Sequence, residues 1–274
     1  MGGTKKTSHT ATGQSAPPAW VETLFDDFLA RLEDKLNDPH LNRYDVVRDT
    51  LYQIYLGTVP NFARVHDYTF PVGARVLMAC FDPRNVTLES ERHPEVIADL
   101  YAERKPLIWF WQLFDRSPLG LNDYLGFRLR QILAPYIFKH VGKDFRCAPF
   151  VRWRFGYHLS LGDGVTIGSS AWLDDRGELE IGPGVTIGEG AIIYSHAPEL
   201  RPTASAHTQK TVIEEGAEIG AHSTLWPGIR IGAGARVQPA SLVTQDVPPH
   251  HLAAGAPAEI RPLPPGPSDA TPRT

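Results

Sequence analysis

The chain has 274 residues, enough for one or two domains with a sizeable hydrophobic core. Its 27 Lys and Arg against 31 Asp and Glu give a formal charge of −4, which argues against a nucleic-acid binder that relies on a broad basic field. The chain has no apolar run long enough to span a bilayer, no signal peptide at its start and only two cysteines, so we expect a cytoplasmic protein.

The first part of the chain predicts a tail followed by helices. Residues 1–19 are rich in Thr, Ser, Gly and Pro, a composition typical of a disordered tail. From Trp20, apolar residues recur at spacings of three and four, which predicts an amphipathic helix that ends near Asn37. A second helix is predicted over 44–56, with Gly57 as its terminating residue.

The sequence predicts a mainly helical region over residues 20–140, and the later part of this region contains both strand-like and helix-like patterns. Residues 71–90 predict a broken strand, with extended runs at 74–80 and 86–88. Two further helices are predicted over about 92–115 and 121–140.

The last of these helices has an apolar face next to basic residues. That face, together with the aromatic run Trp109-Phe110-Trp111, fits either a peripheral membrane contact or packing within the protein or on a neighbouring subunit. We favour packing. The apolar residues concerned are Leu125, Leu129, Ile132, Leu133, Tyr136 and Ile137.

The second half of the chain contains a six-residue repeat. Fifteen of the 24 glycines fall between Gly156 and Gly255. From Val141 to Val243, apolar residues recur at intervals of six, apart from three longer spacings. The repeated positions are Val141, Cys147, Trp153, Leu161, Ile167, Leu173, Ile181, Ile187, Ile193, Ile213, Ile219, Leu225, Ile231, Val237 and Val243. A period of six fits neither a helix nor a plain strand; it fits a short strand plus a corner, repeated.

Three such units close a triangular coil of about eighteen residues, and stacked coils form a prism with the apolar residues inside. The register slips by two residues after Trp153 and again after Leu173. Between Ile193 and Ile213 the spacing is longer, which predicts that about 197–210 leave the prism as a loop. The sequence therefore predicts a parallel β-helix of about five coils, the first of them degenerate.

Four stretches resemble the left-handed β-helix acyltransferases, and most closely their colanic-acid, galactoside and maltose O-acetyltransferase branch. They are LGDGVTIGSSAWL, IGPGVTIGEGAII, IGAHSTLWPGIRIGAGARV and SLVTQDVPPHHLAAGAPAEI. The resemblance covers residues 141–262 and implies a left-handed parallel β-helix domain there, followed by a disordered tail at 263–274. It also implies a homotrimer with active sites between adjacent prisms.

The resemblance implies a general base at the start of the protruding loop, where this chain has His196. Neutral imidazole suits the removal of a proton from an attacking hydroxyl near pH 7. Asp175 is predicted to orient the imidazole, and Asp174 and Tyr194 to hold the acceptor. The acceptor itself, a sugar or another small molecule with a hydroxyl, is not specified by the sequence.

The implied acyl donor is acetyl-CoA or another acyl-CoA. The resemblance places it along the later coils, near Gly220 and Ala221, Pro239 and Ala240, with Thr244 and Arg261 toward the nucleotide end. No metal is expected in this scheme.

Two alternatives remain at the level of sequence. Changes from the usual donor-binding pattern, such as Gln245 where relatives carry Lys, favour a non-catalytic trimeric scaffold. The same fold also serves γ-class carbonic anhydrases, which bind Zn²⁺ through histidines; here His207 and His222 are candidates, but the second histidine of a His-x4-His pair is missing.

Overall fold

The computed structural model describes residues 17–59, 71–197 and 208–263. Within these described residues, five α-helices precede the repeats, joined in part by two short 3₁₀ turns at Pro83–Asn85 and Glu89–Arg92. The helices are α1 (Ala19–Asn37), α2 (Arg43–Leu56), α3 (Val72–Phe81), α4 (Ala98–Asp115) and α5 (Asp123–Ile137).

The first two helices are those that the sequence predicts. The buried face of α1 carries Leu29, Leu32 and Leu36, at the expected spacing of three and four residues. Helix α2 begins after Asn42, whose side chain accepts a hydrogen bond from the backbone of the second helical residue, and ends at Gly57 in the left-handed region at φ 72°.

The predicted strands over residues 71–90 are wrong. The run at 74–80 lies inside α3, where Met78 and Phe81 form the buried side, and 86–88 links the two 3₁₀ turns. A short apolar run with β-branched residues does not distinguish a strand from a one-sided helix by periodicity alone.

Helices α4 and α5 match the next two predictions, although α4 begins only at Ala98 because 89–97 form a turn and an extended segment. Both helices pack inside the protein: Phe110, Trp111, Leu129 and Ile137 are buried. Among the described residues, the structure contains no helix with the length and apolar character needed to cross a bilayer.

The repeats form a parallel β-helix with three faces. Sheet A has the order β1-β4-β7-β10-β13, sheet B β17-β16-β14-β11-β8-β5-β2, and sheet C β15-β12-β9-β6-β3. The strands are β1 (His140–Val141), β2 (Arg146–Cys147), β3 (Arg152–Trp153), β4 (Leu159–Leu161), β5 (Thr166–Ile167), β6 (Trp172–Asp174), β7 (Leu179–Ile181), β8 (Thr186–Ile187), β9 (Ile192–Tyr194), β10 (Thr211–Ile213), β11 (Glu218–Ile219), β12 (Thr224–Leu225), β13 (Arg230–Ile231), β14 (Arg236–Val237), β15 (Leu242–Val243), β16 (His251–Ala254) and β17 (Glu259–Pro262).

The inward ladder predicted from the repeat is confirmed. Leu161 pairs with Ile181, Ile181 with Ile213 and Ile213 with Ile231, so equivalent residues stack coil upon coil. Of the fifteen predicted inward positions, all are buried except Val141, which is half-buried at the open end of the first coil.

Both predicted tails fall largely outside the described residues, as does most of the predicted loop. The described ends of that loop, His196 and Thr208, form an antiparallel bridge. The division into a helical region and a β-helix domain stays a prediction, and one continuous hydrophobic core runs from Leu29 in α1 to Ala253 in β16.

Candidate active site at the widened corner of the β-helix

The two register slips fall at one corner of the prism, between sheets C and A. We call this the widened corner; it comprises residues 154–158, 174–178 and 195–197 of successive coils. Ser195 ties two of these layers together: its hydroxyl donates to the Asp174 carbonyl at 2.5 Å and accepts the Gly177 N–H at 2.9 Å. A side chain at Gly177 would collide with the carbonyl of Ser195, so this close layering requires glycine.

His196 lies at this corner, where the loop leaves the prism. Its place at the loop origin favours display at the edge of a cleft, but the structure buries the side chain, with the residue only 7% exposed. The cover comes from the helical region. Glu95 places its Oε1 atom 3.6 Å from His196 Nε2.

The segment that carries Glu95 is held firmly against the β-helix. The Tyr157 hydroxyl accepts the Ile97 N–H at 2.8 Å, and the Ser90 hydroxyl donates to the Arg154 carbonyl at 2.5 Å. Sequence reasoning missed Glu95 because it belongs to no repeat and lies far from His196 in the chain. The only local signal is an acidic residue in an extended segment before a helix.

Asp175 has different partners from those predicted. Its carboxylate accepts three backbone N–H groups of the preceding coil, from Arg154 at 2.8 Å, Phe155 at 2.9 Å and Gly156 at 2.6 Å. Burial raises the pKa of Asp175, and these hydrogen bonds oppose the rise. The carboxylate that contacts His196 among the described residues is that of Glu95.

Asp174 and Tyr194, the predicted acceptor residues, are direct neighbours in sheet C. The Asp174 carboxylate is 1% exposed and forms an ion pair with Arg176 at 2.8 Å. Arg176, which sequence reasoning did not single out, therefore neutralises one wall of the widened corner.

His93 is a second imidazole in the covering segment. Burial lowers its pKa, and the positive charges of Arg154 and Arg176 lower it further, whereas Glu95 and Glu89 act in the opposite direction. The neutral form of this side chain is therefore favoured at the corner.

Comparison with known proteins gives consistent results. No protein-family model matches the chain. A galactoside O-acetyltransferase of Lactococcus lactis is 28% identical over 134 residues, which is 47% of this chain and 65% of the relative. A serine acetyltransferase of Salmonella typhimurium is 38% identical over 179 residues, 63% of this chain and 58% of the relative. The chain thus matches less than two thirds of either relative's length.

Solved structures extend the similarity to the fold. A hexapeptide-repeat acetyltransferase of Vibrio cholerae, solved with acetyl-CoA, superposes with a TM-score of 0.52 and 29% identity over 62% of this chain and 90% of its own. The chain has the fold of the hexapeptide-repeat acetyltransferases. The fold class predicted from the sequence, a left-handed β-helix with an α-helical N-terminal region, is thereby confirmed.

In this hexapeptide-repeat chain, four of the six predicted donor-binding residues lie together at the corner between sheets B and C. Gly220 and Ala221 lie one coil before Pro239 and Ala240, and the Ala240 N–H donates to the Ala221 carbonyl at 2.9 Å. A side chain at Gly220 would collide with the backbone of Pro239. The close approach of the two coils at this corner therefore requires glycine at position 220.

The other two predicted donor residues lie elsewhere. Thr244 is exposed and follows β15 on sheet C, whereas Arg261 is on β17, paired antiparallel with Leu252 at the end of sheet B. Within the described ranges, no group of three or more His, Cys, Asp or Glu is placed to hold a metal ion, so no ligand cluster supports the carbonic-anhydrase alternative. His222 lies at an exposed corner with φ 57°, and His207 lies outside the described residues.

Proposed function

We propose that this chain is an acyltransferase that moves the acyl group of acetyl-CoA, or another acyl-CoA, to a hydroxyl of a sugar or small-molecule acceptor. The observation that carries the proposal is the contact between His196 and Glu95 at the widened corner. An imidazole beside a carboxylate, sheltered from bulk water, is suited to general-base catalysis.

In the proposed mechanism, Glu95 Oε1, 3.6 Å from His196 Nε2, stabilises the imidazolium that forms when His196 takes up a proton. The neutral imidazole of His196 removes the acceptor's hydroxyl proton as its oxygen attacks the thioester carbonyl. The new C–O bond forms, the C–S bond breaks, and the proton held by His196 passes to the departing CoA thiolate. Main-chain N–H groups at the corner stabilise the negative charge that develops on the carbonyl oxygen.

Two observations support the position proposed for the acyl donor. The Vibrio cholerae neighbour was solved with acetyl-CoA, and Pro239 and Ala240 are exposed at the corner that they share with Gly220 and Ala221. Thr244 and Arg261 remain proposed contacts toward the nucleotide end.

A homotrimer is part of the proposal. The outward row of sheet C carries Trp172, Ile192, Thr224 and Leu242, all half-buried in a single chain, whereas sheet B presents the charged side chains of Glu218 and Arg236. Three of the four sheet C residues are apolar, and a second copy against this sheet would cover them. The widened corner borders the same sheet, so the neighbouring copy would complete the cleft.

The first test is thermal unfolding with and without saturating CoA or acetyl-CoA. A ligand at 100 times its dissociation constant stabilises the folded state by about 2.7 kcal/mol, and this readout needs no acceptor. No shift with acetyl-CoA or with longer acyl-CoAs would contradict the donor assignment and favour the trimeric scaffold.

The second test concerns His196. The His196→Ala variant is expected to retain the acetyl-CoA shift and to lose most turnover, about a hundredfold or more. His40→Ala, at an exposed histidine between α1 and α2, is the matched control and is expected to retain activity. Unchanged turnover in His196→Ala would remove this residue from the mechanism.

A further inference from the structure

A cavity of about 250 Å³ lies between the end of α4, the first coil and the turn that precedes α4. Three guanidinium groups line it, those of Arg116, Arg152 and Arg154, together with the ring of Trp172. We call it the arginine cavity. It lies on the sheet C side of the prism, next to the segment that covers His196.

The positive charge of the arginine cavity is only partly balanced. Of its two lining carboxylates, Asp115 is committed to Arg130 at 2.7 Å. The other, Glu89, pairs with Arg154 at 2.6 Å through a side chain that is 71% exposed and therefore displaceable. In the described part of the chain, no carboxylate lies within ion-pair distance of Arg116 or Arg152. This local excess stands out in a chain of net charge −4.

The cavity wall also contains hydrogen-bond donors that lack acceptors. The indole N–H of Trp153 and the Nε–H of Arg154 are buried without a hydrogen-bond partner among the described residues. Buried donors of this kind are costly unless a ligand or water satisfies them. Both belong to residues that line the cavity.

Trp172 holds two of the guanidinium groups in place. Arg152 lies 4.4 Å and Arg154 4.5 Å from the centre of its ring, within the range of cation–π contacts. Fixed guanidinium groups lose little side-chain entropy when they bind an oxyanion, and their planar donors match phosphate and carboxylate oxygens.

We propose that the arginine cavity binds a phosphate or carboxylate group of the acceptor, and this inference rests on the proposed function. The volume is below the usual 300–1,000 Å³ of small-molecule sites, about the size for one anionic group rather than a whole ligand. Trp172 pairs with Ile192 in β9, and the chain reaches His196 four residues later at the widened corner, so the cavity and His196 lie on neighbouring parts of the β-helix. The acceptor is therefore an anionic compound that carries its charged group apart from the reactive hydroxyl.

The first experiment measures anion binding without turnover. Inorganic phosphate and pyrophosphate are titrated calorimetrically at constant ionic strength, with chloride as the balancing ion. Wild-type protein is expected to bind pyrophosphate, and the double variant Arg116→Gln/Arg152→Gln to lose at least about tenfold in affinity. Both arginines are exposed, so the variant is expected to fold. The charge-matched control is Arg31→Gln/Arg146→Gln, at exposed arginines away from the cavity.

The second experiment uses pairs of hydroxyl acceptors that differ only in a phosphate or carboxylate group. The double variant is expected to raise KM for the charged member by about tenfold or more, with KM for acetyl-CoA unchanged. Equal anion affinity in the double variant and the control overturns the inference. A second result also overturns the inference: wild type does not bind pyrophosphate, and its oligomer dissociates when the two arginines are replaced. The arginines would then contact a neighbouring copy.

These outcomes are separable from failure of the proposed function. If no anion effect is found but acetyl-CoA still raises the unfolding temperature, the proposal for the arginine cavity is rejected and the acyltransferase proposal stands. An absent acetyl-CoA shift removes the acyltransferase, while the calorimetric titration still reports on the cavity.

Discussion

Glu95 Oε1 lies 3.6 Å from His196 Nε2, and this contact joins the helical region to the loop origin of the β-helix. The two residues belong to parts of the chain with unrelated sequence patterns. Their contact makes the helical region a wall of the candidate site. The continuous core from α1 through the coils supports the same conclusion, because the helices are packed on the prism rather than tethered to it.

The first prediction concerns the role of Glu95. Replacing it by Gln keeps the shape but removes the charge that stabilises the imidazolium formed in the transition state, so kcat is expected to fall by about a hundredfold. KM for acetyl-CoA is expected to stay unchanged, since Glu95 lies away from the proposed donor corner. Steady-state kinetics with acetyl-CoA and an identified acceptor give both constants.

The matched control for this prediction is Glu103→Gln, on the exposed side of α4, where the carboxylate is 70% exposed. It is expected to leave kcat unchanged. If Glu95→Gln instead lowered the unfolding temperature and left kcat intact, Glu95 would be a structural residue and not a positioning residue for His196.

The sequence predicted the repeat region well because its constraint is local and periodic. Inward residues such as Ile187 and Ile219 occupy equivalent environments, which recur every six positions. The pattern is therefore visible in a single sequence. The helical region was predicted less well. The run 74–80 does not belong to a repeat, so its sequence alone does not distinguish a helix from a strand. In the structure it forms α3, which packs through Met78 and Phe81.

The sequence named candidate site residues but not their contacts. The long spacing between Ile193 and Ile213 predicted a loop, and the family resemblance pointed to His196 at its start. The burial of His196, its contact with Glu95 and the three N–H groups on Asp175 depend on which distant segment packs there. No spacing rule encodes these contacts, because they join residues from different coils or from outside the repeats.

The second prediction concerns Asp175. An amide at this position has one acceptor oxygen instead of two, so its NH₂ group faces either the N–H of Gly156, which Oδ2 accepts, or the N–H groups of Arg154 and Phe155, which Oδ1 accepts. Asp175→Asn is therefore expected to lower the free energy of unfolding by about 2 kcal/mol. Chemical denaturation measures this loss. A variant as stable as wild type but catalytically dead would instead support the role in orienting His196.

The third prediction concerns the buried ion pair between α4 and α5. Arg130 and Asp115 have side chains 1% and 3% exposed, and Arg130 also donates to the carbonyls of Gly120 and Cys147. Arg130→Met leaves the carboxylate buried without its cation and is expected to cost about 3–5 kcal/mol of stability. Denaturant unfolding of the variant and wild type gives the difference.

The control lies on the same helix. Arg128 forms an ion pair with Asp26 in which both side chains are largely exposed, so Arg128→Met is expected to change stability by no more than about 1 kcal/mol. In a double-mutant cycle, adding Asp115→Asn to Arg130→Met is expected to recover part of the loss, because it removes the unpaired charge. Strict additivity of the two changes would mean that the pair is not coupled.

The last prediction is a pH dependence that originates at His93. Its folded pKa lies below its ordinary value of 6.5 because of burial and the nearby Arg154 and Arg176. As pH falls below 6.5, the unfolded chain takes up the proton before the folded protein does, so this group costs stability toward acid. His93→Gln removes that proton uptake. Between about pH 7.5 and about pH 5.5, wild type is therefore expected to lose stability relative to the variant.

Urea unfolding at both pH values measures this difference, with His40→Gln as the control at an exposed histidine. Because the control replaces an exposed imidazole outside the site, its stability is expected to run parallel to that of wild type. Parallel curves for His93→Gln as well would contradict the prediction. Divergence confined to His93→Gln would show that protonation of His93 destabilises the folded protein.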